Sequence, residues 1–168
     1  KEPHMYRNIM VPIDDSHCSS RALDEAVRLA RATGSNLEII HVIDYGFLRV
    51  RAHGGELEEE HQHRVAAGNA LLVKARHHAE RAGIKFTERL LDDKSTLGDV
   101  ANRLIHDIQD SKPDLVVIGT HGKSGLQRVV LGSVAETLVR HASVPVLVVR
   151  GDIPLAEEVA AGQSTTSA

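Results

Sequence analysis

Cysteine and aromatic side chains are almost absent from this sequence. Cys18 is its single cysteine, so an intrachain disulfide and a zinc site built on several cysteines are both excluded. A chain so poor in cysteine favours a reducing compartment. Aromatic residues make up 2% of the chain, too few for a platform on which nucleic-acid bases stack.

The sequence also lacks a long apolar run and an excess of one charge. Its apolar runs are a few residues long, far below the about 18 needed to cross a bilayer, and no signal-peptide pattern precedes Tyr6. The 20 basic and 23 acidic side chains leave a formal charge of -3, which gives no electrostatic footprint for a nucleic-acid duplex. We therefore expect a cytoplasmic protein without a nucleic-acid or membrane partner.

The length of 168 residues suits one domain with a stable core of its own. We interpret residues 1–4 as an expression scar and residues 5–151 as the domain. Residues 152–168 are small and polar, which is typical of a disordered tail.

Strand and helix patterns alternate along the domain. Short apolar runs predict five strands, over residues 7–13, 36–43, 85–91, 114–119 and 144–150. Segments with helical periodicity lie between these runs, and the second of them is predicted over residues 61–82. Strands that are apolar on both sides and alternate with helices indicate an α/β fold, with a parallel sheet covered by helices on both faces.

Polar residues and glycines predict where these helices begin and end. Ser19 or Ser20 is expected to cap the first helix, and Gly34 to end it. Thr96 is the expected cap of the third helix, and Ser133 opens the last one as part of an S-x-x-E capping box. Residues 44–60 show neither period and predict a mobile loop after the second strand.

The stretch GTHGKSG, residues 119–125, resembles the end of a Walker phosphate loop. That loop needs a glycine five residues before Gly122, where its backbone begins to wrap around the phosphate. Val117 occupies the position, inside a run that predicts a buried strand. The Walker interpretation is therefore excluded.

The glycines instead bracket a segment between a strand end and a helix start. In open α/β sheets, ligands bind beyond the carboxyl ends of the strands, near the point where the strand order reverses. Gly119 ends the fourth strand, and Gly132 lies directly before the predicted start of the last helix. A helix N-terminus offers unpaired N–H groups and a positive dipole end, so this arrangement predicts a phosphate site.

Three features together resemble the universal stress protein family, in particular its ATP-binding branch. They are the pattern G-x2-G-x9-G-[ST] after the fourth strand, VPIDDS at the end of the first strand and VPVLVVR as the last strand. The resemblance covers nearly the whole domain. It implies a Rossmann-like open sheet of five parallel strands in the order 3-2-1-4-5, with ATP at its carboxyl edge. It also implies a divalent ion, Mg or Mn, beside the phosphates and a homodimer formed through residues 144–150.

The resemblance further implies a set of residues around the adenosine. Pro12, Ile13 and Asp14 would line the adenosine, and Val42 would lie against the adenine. An Asp directly after a strand also often serves as a turn residue, so both roles of Asp14 stay open.

A second set is implied around the ribose and phosphates. Its members follow the fourth strand or open the last helix, and they are Gly119, His121, Gly122, Gly132, Ser133 and Val134. Lys123 and Arg128 lie in the same stretch and would either reach phosphate oxygens or be solvated.

The chain has 11 histidines, but their spacing does not predict a metal site. On the second helix, His77 and His78 are adjacent and face different directions, and His61 is too far along the helix to share an ion with them. We therefore expect surface histidines, and only His61, with a partner that the sequence does not identify, could be a metal ligand.

The resulting prediction is an ATP-binding regulatory protein of the stress response. A slow ATPase or an autophosphorylating enzyme is the first alternative, although no general base or arginine finger can be assigned. The second alternative is a phosphorelay receiver, because aspartates close the first and third predicted strands at Asp14, Asp15, Asp92 and Asp93. Receivers, however, have no use for Gly132 and Ser133 at this spacing.

Overall fold

The computed structural model describes residues 5–49, 54–94, 97–120 and 131–151. The strands within these ranges are β1 (Asn8–Pro12), β2 (Asn36–Val42), β3 (Phe86–Leu91), β4 (Leu115–Gly119) and β5 (Val146–Val149). The helices are α1 (His17–Thr33), α2 (Gly54–Ala82), α3 (Val100–Ser111) and α4 (Ser133–His141), and a 3₁₀ turn spans Gly46–Arg49. Each predicted strand is present, shortened by one to three residues. None of the described helices is both long and apolar enough to cross a bilayer.

All five strands are parallel, and their order is β3-β2-β1-β4-β5, which confirms the predicted topology. The register places Val11 beside Ile39 of β2, and Ile9 beside Leu115 of β4. The chain first builds outward from β1 to β3 and then returns to the other side of β1 with β4. The strand order therefore reverses between β1 and β4, which is where open α/β sheets bind ligands.

Alternate side chains of the central strands build one core on each face of the sheet. On one face α1 and α2 cover residues that include Ile9, Val11, Leu37, Ile39, Leu115 and Val117. On the other face α3 and α4 cover residues that include Met10, Ile40, Val42, Val116 and Ile118. A strand buried on both faces needs apolar residues at every position, which explains its continuous apolar run in the sequence.

Helix α1 begins three or four residues earlier than predicted. Ser16 is the N-cap, and its side chain accepts a hydrogen bond from Ser19 N at 3.1 Å. The prediction of Ser19 or Ser20 as the cap is therefore wrong. Gly34 ends the helix in the left-handed conformation with φ 69°, as predicted.

Helix α2 begins at Gly54, so the prediction of a loop over residues 44–60 is wrong from that residue onward. Its 29 residues extend about 43 Å, whereas the 7 residues of β2 extend about 23 Å. The first half of α2 therefore passes beyond the end of the sheet, where it has no sheet surface to pack on and needs no apolar stripe. Pairs one turn apart support it instead, such as Arg64 Nε with Glu60 Oε1 at 2.7 Å.

The N-terminal caps of the last two helices also differ from the prediction, although α4 begins at Ser133 as predicted. Asp99 caps α3 by accepting a hydrogen bond from Asn102 N at 3.1 Å, and the predicted cap Thr96 lies outside the described residues. At α4 the N-cap is Gly132, and no side chain caps the helix. Ser133 is thus the first helical residue, and the expected capping box is not formed.

Candidate functional site

A cavity of about 620 Å³ opens at the carboxyl edge of the sheet. It is lined by the residues that follow β1, β2 and β4, by the first turn of α4 and by the middle of α2. Cavities of roughly 300 to 1,000 Å³ at this place in an α/β sheet suit small-molecule ligands. We refer to this cavity as the switch-point cleft.

The switch-point cleft brings together eight of the ten residues that the sequence singled out. They come from three strand ends and one helix start, and they are Pro12, Ile13, Asp14, Val42, Gly119, Gly132, Ser133 and Val134. The other two, His121 and Gly122, lie outside the described residues, as do Lys123 and Arg128. Their part in the site stays a prediction.

Asp14 is both a turn residue and part of the cleft. Its Oδ1 accepts a hydrogen bond from Ser16 N at 2.9 Å, and its own N–H donates to Ser19 Oγ at 2.8 Å. Oδ2 accepts no hydrogen bond from the described part of the chain, and Asp14 is half-buried in the cleft wall. One carboxylate oxygen thus holds the turn, while the other is an acceptor at the cleft.

The first turn of α4 offers donors to the cleft. The first intrahelical hydrogen bond runs from Glu136 N to Gly132 O at 2.8 Å, so the N–H groups of Ser133, Val134 and Ala135 have no acceptor within the helix. Gly132 N is fixed by Thr120 O at 2.7 Å, which ties the helix start to the end of β4. Because Ser133 does not cap the helix, its hydroxyl stands beside these N–H groups as a further donor.

The backbone of Gly119 packs directly against the first turn of α1, so no space for a side chain remains there. A Cβ built on Gly119 would lie 2.7 Å from both the carbonyl carbon and the carbonyl oxygen of Cys18. The absence of a side chain at this position is therefore required by the first turn of α1. The same strand end also lines the cleft, so the packing role and a ligand role are compatible.

The middle of α2, where the helix passes the edge of the sheet, forms a wall of the cleft that the sequence did not predict. Arg64, Ala67, Leu71 and Lys74 lie along it at helical spacing and line the cleft. Arg64 Nη1 also donates to Asp44 O at 3.2 Å, which connects this wall to the end of β2. The sequence gives no signal for the wall, because it depends on how far α2 extends past the sheet.

His41 is a second residue of the cleft that sequence reasoning missed. It lies near the end of β2, lines the cleft, and its Nδ1 is 2.7 Å from Ile13 O. The signal in the sequence was the imidazole of His41 within the mostly apolar strand NLEIIHV. Such a residue is costly to bury unless it has a partner.

A polar group built around the buried Tyr45 lies outside the cleft, at the end of β3. The buried hydroxyl of Tyr45 donates to Asp92 Oδ1, and His61 Nε2 is 3.1 Å from Asp92 Oδ2. The pKa of Tyr45 is raised, first by burial and then by its hydrogen bond to Asp92. The hydrogen bond from Tyr45 is also the main reason why the pKa of Asp92 is lowered from its usual range.

The contacts of Asp92 and His61 test two of the predictions, the phosphorelay-receiver alternative and the expectation that the histidines lie on the surface. Asp92 bonds to Tyr45 and His61, Asp93 lies 3.6 Å from Arg103, and neither aspartate lines the cleft. The receiver arrangement, with aspartates from the first and third strands in one pocket, is therefore not formed. The side chain of His61 is 18% exposed, so the expectation of a surface residue was wrong there.

The described residues contain no group of three or more histidine, cysteine or acidic side chains placed to hold a metal ion. Three acidic residues, Asp14, Asp15 and Asp44, line the cleft near the ends of β1 and β2, and Asp44 Oδ1 already accepts a hydrogen bond from Gly46 N at 2.7 Å. By themselves they are too few for a metal site built by the protein, since Mg²⁺ prefers six oxygen ligands.

An open parallel sheet with a ligand-sized cleft at its switch point defines a doubly wound α/β protein, a class that binds its ligands at this edge of the sheet. Residues 5–150 match the sequence profile of the universal stress protein family. The universal stress protein MJ0531 of Methanocaldococcus jannaschii is 34% identical over 153 residues, which cover 88% of this chain and 84% of that protein. The chain belongs to the universal stress protein family.

Solved structures agree with this assignment. A member of the family from Burkholderia pseudomallei superimposes with a TM-score of 0.69 at 28% identity, covering 88% of this chain and 98% of the other. A universal stress protein in complex with cAMP superimposes with a TM-score of 0.60 at 25% identity, with the same coverage of the two chains. That relative binds an adenine nucleotide.

Proposed function

We propose that this protein is a cytoplasmic regulator of the stress response that binds ATP in the switch-point cleft. The observation that carries the proposal is the convergence of Pro12, Asp14, Val42, Gly132 and Ser133 on one cavity, although they are up to 121 positions apart in the sequence. The bound nucleotide would stabilise one state of the protein and so change its affinity for a partner.

The adenosine half of the ligand fits the apolar part of the cleft. Ile13 and Val42 lie at two adjacent strand ends, and Val100 and Leu104 of α3 face the same space. These aliphatic surfaces suit a purine ring, and Asp14 offers an acceptor for a hydroxyl or an amino group. The complex of a relative with cAMP supports an adenine nucleotide as the ligand class.

The phosphate half fits the first turn of α4. The N–H groups of Ser133, Val134 and Ala135 and the Ser133 hydroxyl face the cleft, and the helix dipole adds a favourable field for an anion. Gly132 brings the backbone close to this position. His121 and Gly122 are part of the same proposed phosphate site, and they lie in the chain segment that precedes Gly132.

A divalent ion, Mg or Mn, is part of the proposal as a partner of the bound phosphates. The described residues supply too few ligands for a site built by protein alone, so phosphate oxygens and water would complete the coordination, as is usual for Mg²⁺. Calorimetry of ATP binding with EDTA and with added Mg²⁺ tests this point. Equal affinity in both conditions would remove the ion from the proposal.

A homodimer through residues 144–150 completes the proposed assembly. β5 is an edge strand with one side free of strand partners within the described sheet, and Leu147 on it is 37% exposed. Val139 on the adjacent α4 is 50% exposed. An apolar edge strand invites pairing with a second copy. Leu147→Lys should shift the sedimentation profile from dimer to monomer, and a wild-type monomer would refute the dimer.

The test of ATP binding begins with the nucleotide that co-purifies with the protein, followed by calorimetry. Gly132→Val and Gly122→Val should each weaken ATP binding at least about a hundredfold, because each side chain blocks the approach of phosphate to two or more N–H donors. Gly83→Asn is the matched control, since Gly83 has φ 66°, which Asn tolerates, and lies at the far end of α2. Unchanged ATP affinity in both valine variants would contradict the site.

Hydrolysis is measured in the same preparations. We expect absent or slow release of phosphate. A turnover above about 1 s⁻¹, the low end for ordinary enzymes, would instead establish the enzyme alternative.

A further inference from the structure

The peptide group between Ile13 and Asp14 is held at both of its polar ends by side chains from other elements. Ile13 O is 2.7 Å from His41 Nδ1, and Asp14 N donates to Ser19 Oγ at 2.8 Å. A carbonyl oxygen can only accept, so Nδ1 of His41 carries the proton. One side chain of β2 and one of α1 therefore fix the plane of the peptide that ends β1.

The His41 ring is itself held in place by packing. It lies beneath α2 at Gly68, where an added Cβ would be 2.7 Å from His41 Cδ2 and 2.8 Å from Leu90 Cδ1. Any larger residue at position 68 would displace the ring. Ser19 is 6% exposed, and its N–H bonds to the capping residue Ser16. Both side chains are thus immobilised around the Ile13–Asp14 peptide.

We propose that His41 and Ser19 are positioning residues for the adenosine half of the ligand. They fix the Ile13–Asp14 peptide and thereby direct the free carboxylate oxygen of Asp14 into the cleft. Both polar groups of that peptide are already bonded, so the ligand is recognised at this turn by the Asp14 carboxylate and not by the peptide. The ligand group at this place is a hydrogen-bond donor, a ribose hydroxyl or the adenine amino group. The inference rests on the proposed ATP site.

The test compares His41→Leu with His41→Asn. Leucine fills the space of the ring without a donor, whereas the amide nitrogen of asparagine takes the position of Nδ1. His41→Leu should weaken ATP and adenosine binding about tenfold, the effect of one lost hydrogen bond on the position of Asp14. His41→Asn should restore most of the affinity. Binding of inorganic tripolyphosphate, which lacks the adenosine, should be the same in all three proteins.

Ser19→Ala tests the hydrogen bond at the other end of the peptide. It also provides the test of the proposal if His41→Leu does not fold. Its matched control is Ser35→Ala, which removes a hydroxyl that is equally buried and bonded, to Tyr6 O at 2.7 Å, before the start of β2. Both variants should lose thermal stability, and only Ser19→Ala should lose affinity for ATP.

Three results would overturn the inference while leaving the ATP site intact. One is wild-type affinity in both His41→Leu and Ser19→Ala. Another is an equal loss in His41→Leu and His41→Asn, because the donor at Nδ1 would then not be what matters. The third is a parallel loss of tripolyphosphate binding, which indicates a general disturbance of the cleft. A wild-type protein that binds neither ATP nor adenosine overturns the proposed function itself.

Discussion

The backbone of Gly119 at the end of β4 lies directly against the backbone of Cys18 in the first turn of α1. A Cβ at position 119 would meet the Cys18 carbonyl carbon and oxygen at 2.7 Å, and backbone atoms have little freedom to move away. This contact joins the strand end and the helix start on two sides of the switch-point cleft. The shape of the cleft therefore depends on a residue that has no side chain.

Gly119→Ala should destabilise the protein by about 1 to 3 kcal/mol, as expected for overpacking in a closed interior. The free energy of unfolding in urea measures this loss. Gly151→Ala is the matched control, because its Cβ would meet Cys18 Sγ, the mobile end of a side chain, at 2.9 Å and should cost less. Equal stability of Gly119→Ala and the wild type would show that α1 adjusts without cost.

Ser133→Ala separates ligand binding from helix capping. Ser133 makes no capping bond, so the free energy of unfolding should change by less than about 0.5 kcal/mol. ATP affinity should fall about tenfold, because a hydrogen bond to a charged phosphate is lost. Calorimetry and urea unfolding give the two quantities.

Ser16→Ala is the comparison for that variant. Ser16 caps α1, and its removal should cost about 1 kcal/mol of stability. A Ser133→Ala protein that loses as much stability as Ser16→Ala, with ATP affinity unchanged, would assign Ser133 a structural role only.

Tyr45→Phe should change how stability depends on pH. The hydrogen bond from Tyr45 is the main cause that lowers the pKa of Asp92 below its ordinary value of 3.8. A carboxyl whose pKa is lower in the folded state stabilises the fold above its unfolded pKa and loses that contribution as the pH falls through the folded pKa. The wild type should therefore lose stability below pH 3.8, and Tyr45→Phe should lose less there.

Urea unfolding of both proteins at pH 7 and at about pH 2.5, below the ordinary pKa range of an aspartate, checks this expectation. At pH 7 Tyr45→Phe should be less stable by about 1 kcal/mol, since the bonded carboxylate is partly exposed. A constant difference between the two proteins at both pH values would contradict the role assigned to Asp92.

Arg89→Leu tests the polar group between α3 and the sheet. Arg89 donates to both oxygens of Asp107, at 3.0 and 2.6 Å, and to Glu38 Oε1 at 2.8 Å. The side chain of Asp107 is 3% exposed, so removing Arg89 leaves a buried carboxylate with weaker compensation from Arg103 at 3.6 Å. We expect a loss of about 2 kcal/mol, less than for a fully buried pair because Arg89 is 40% exposed.

Arg76→Leu is the matched control for Arg89→Leu. Arg76 likewise pairs with a carboxylate, that of Glu88 on β3, but the side chain of Glu88 is 25% exposed. Glu88 can be solvated when its partner is removed, so the loss of stability should be smaller. A larger loss in Arg76→Leu would show that burial of the carboxylate does not decide the effect.

Local patterns were enough for the α/β class and the parallel sheet, whereas the strand order and most of the site residues were implied by the resemblance to the universal stress protein family. Each buried strand is a continuous apolar run because both of its faces are covered, and such runs can be recognised without knowledge of the fold. The positions of Gly119, Gly132 and Ser133 follow from spacing alone. Their convergence with Pro12, Asp14 and Val42 was implied by the family resemblance, and its physical reason is that parallel strands end at a common edge.

The errors have physical causes that lie outside any local window. Residues from Gly54 onward are helical without an apolar stripe, because this part of α2 extends past the end of the sheet. Ser133 is preceded by Gly132, and the hydrogen bond from Gly132 N to Thr120 O fixes where α4 begins. A capping pattern cannot show that competing contact.

The sequence alone determined the α/β class, the parallel sheet and the glycines and serine at its edge, because these follow from the alternation of apolar runs and from spacing, while the strand order was implied by the family resemblance. The tertiary structure decided the wall formed by α2 and the packing of Cys18 on Gly119. It also decided the hydrogen bonds of His41 and Ser19 with the Ile13–Asp14 peptide. Those contacts join residues far apart in the chain. Their existence depends on helix length and on the angle at which helices meet the sheet, which no short stretch of sequence encodes.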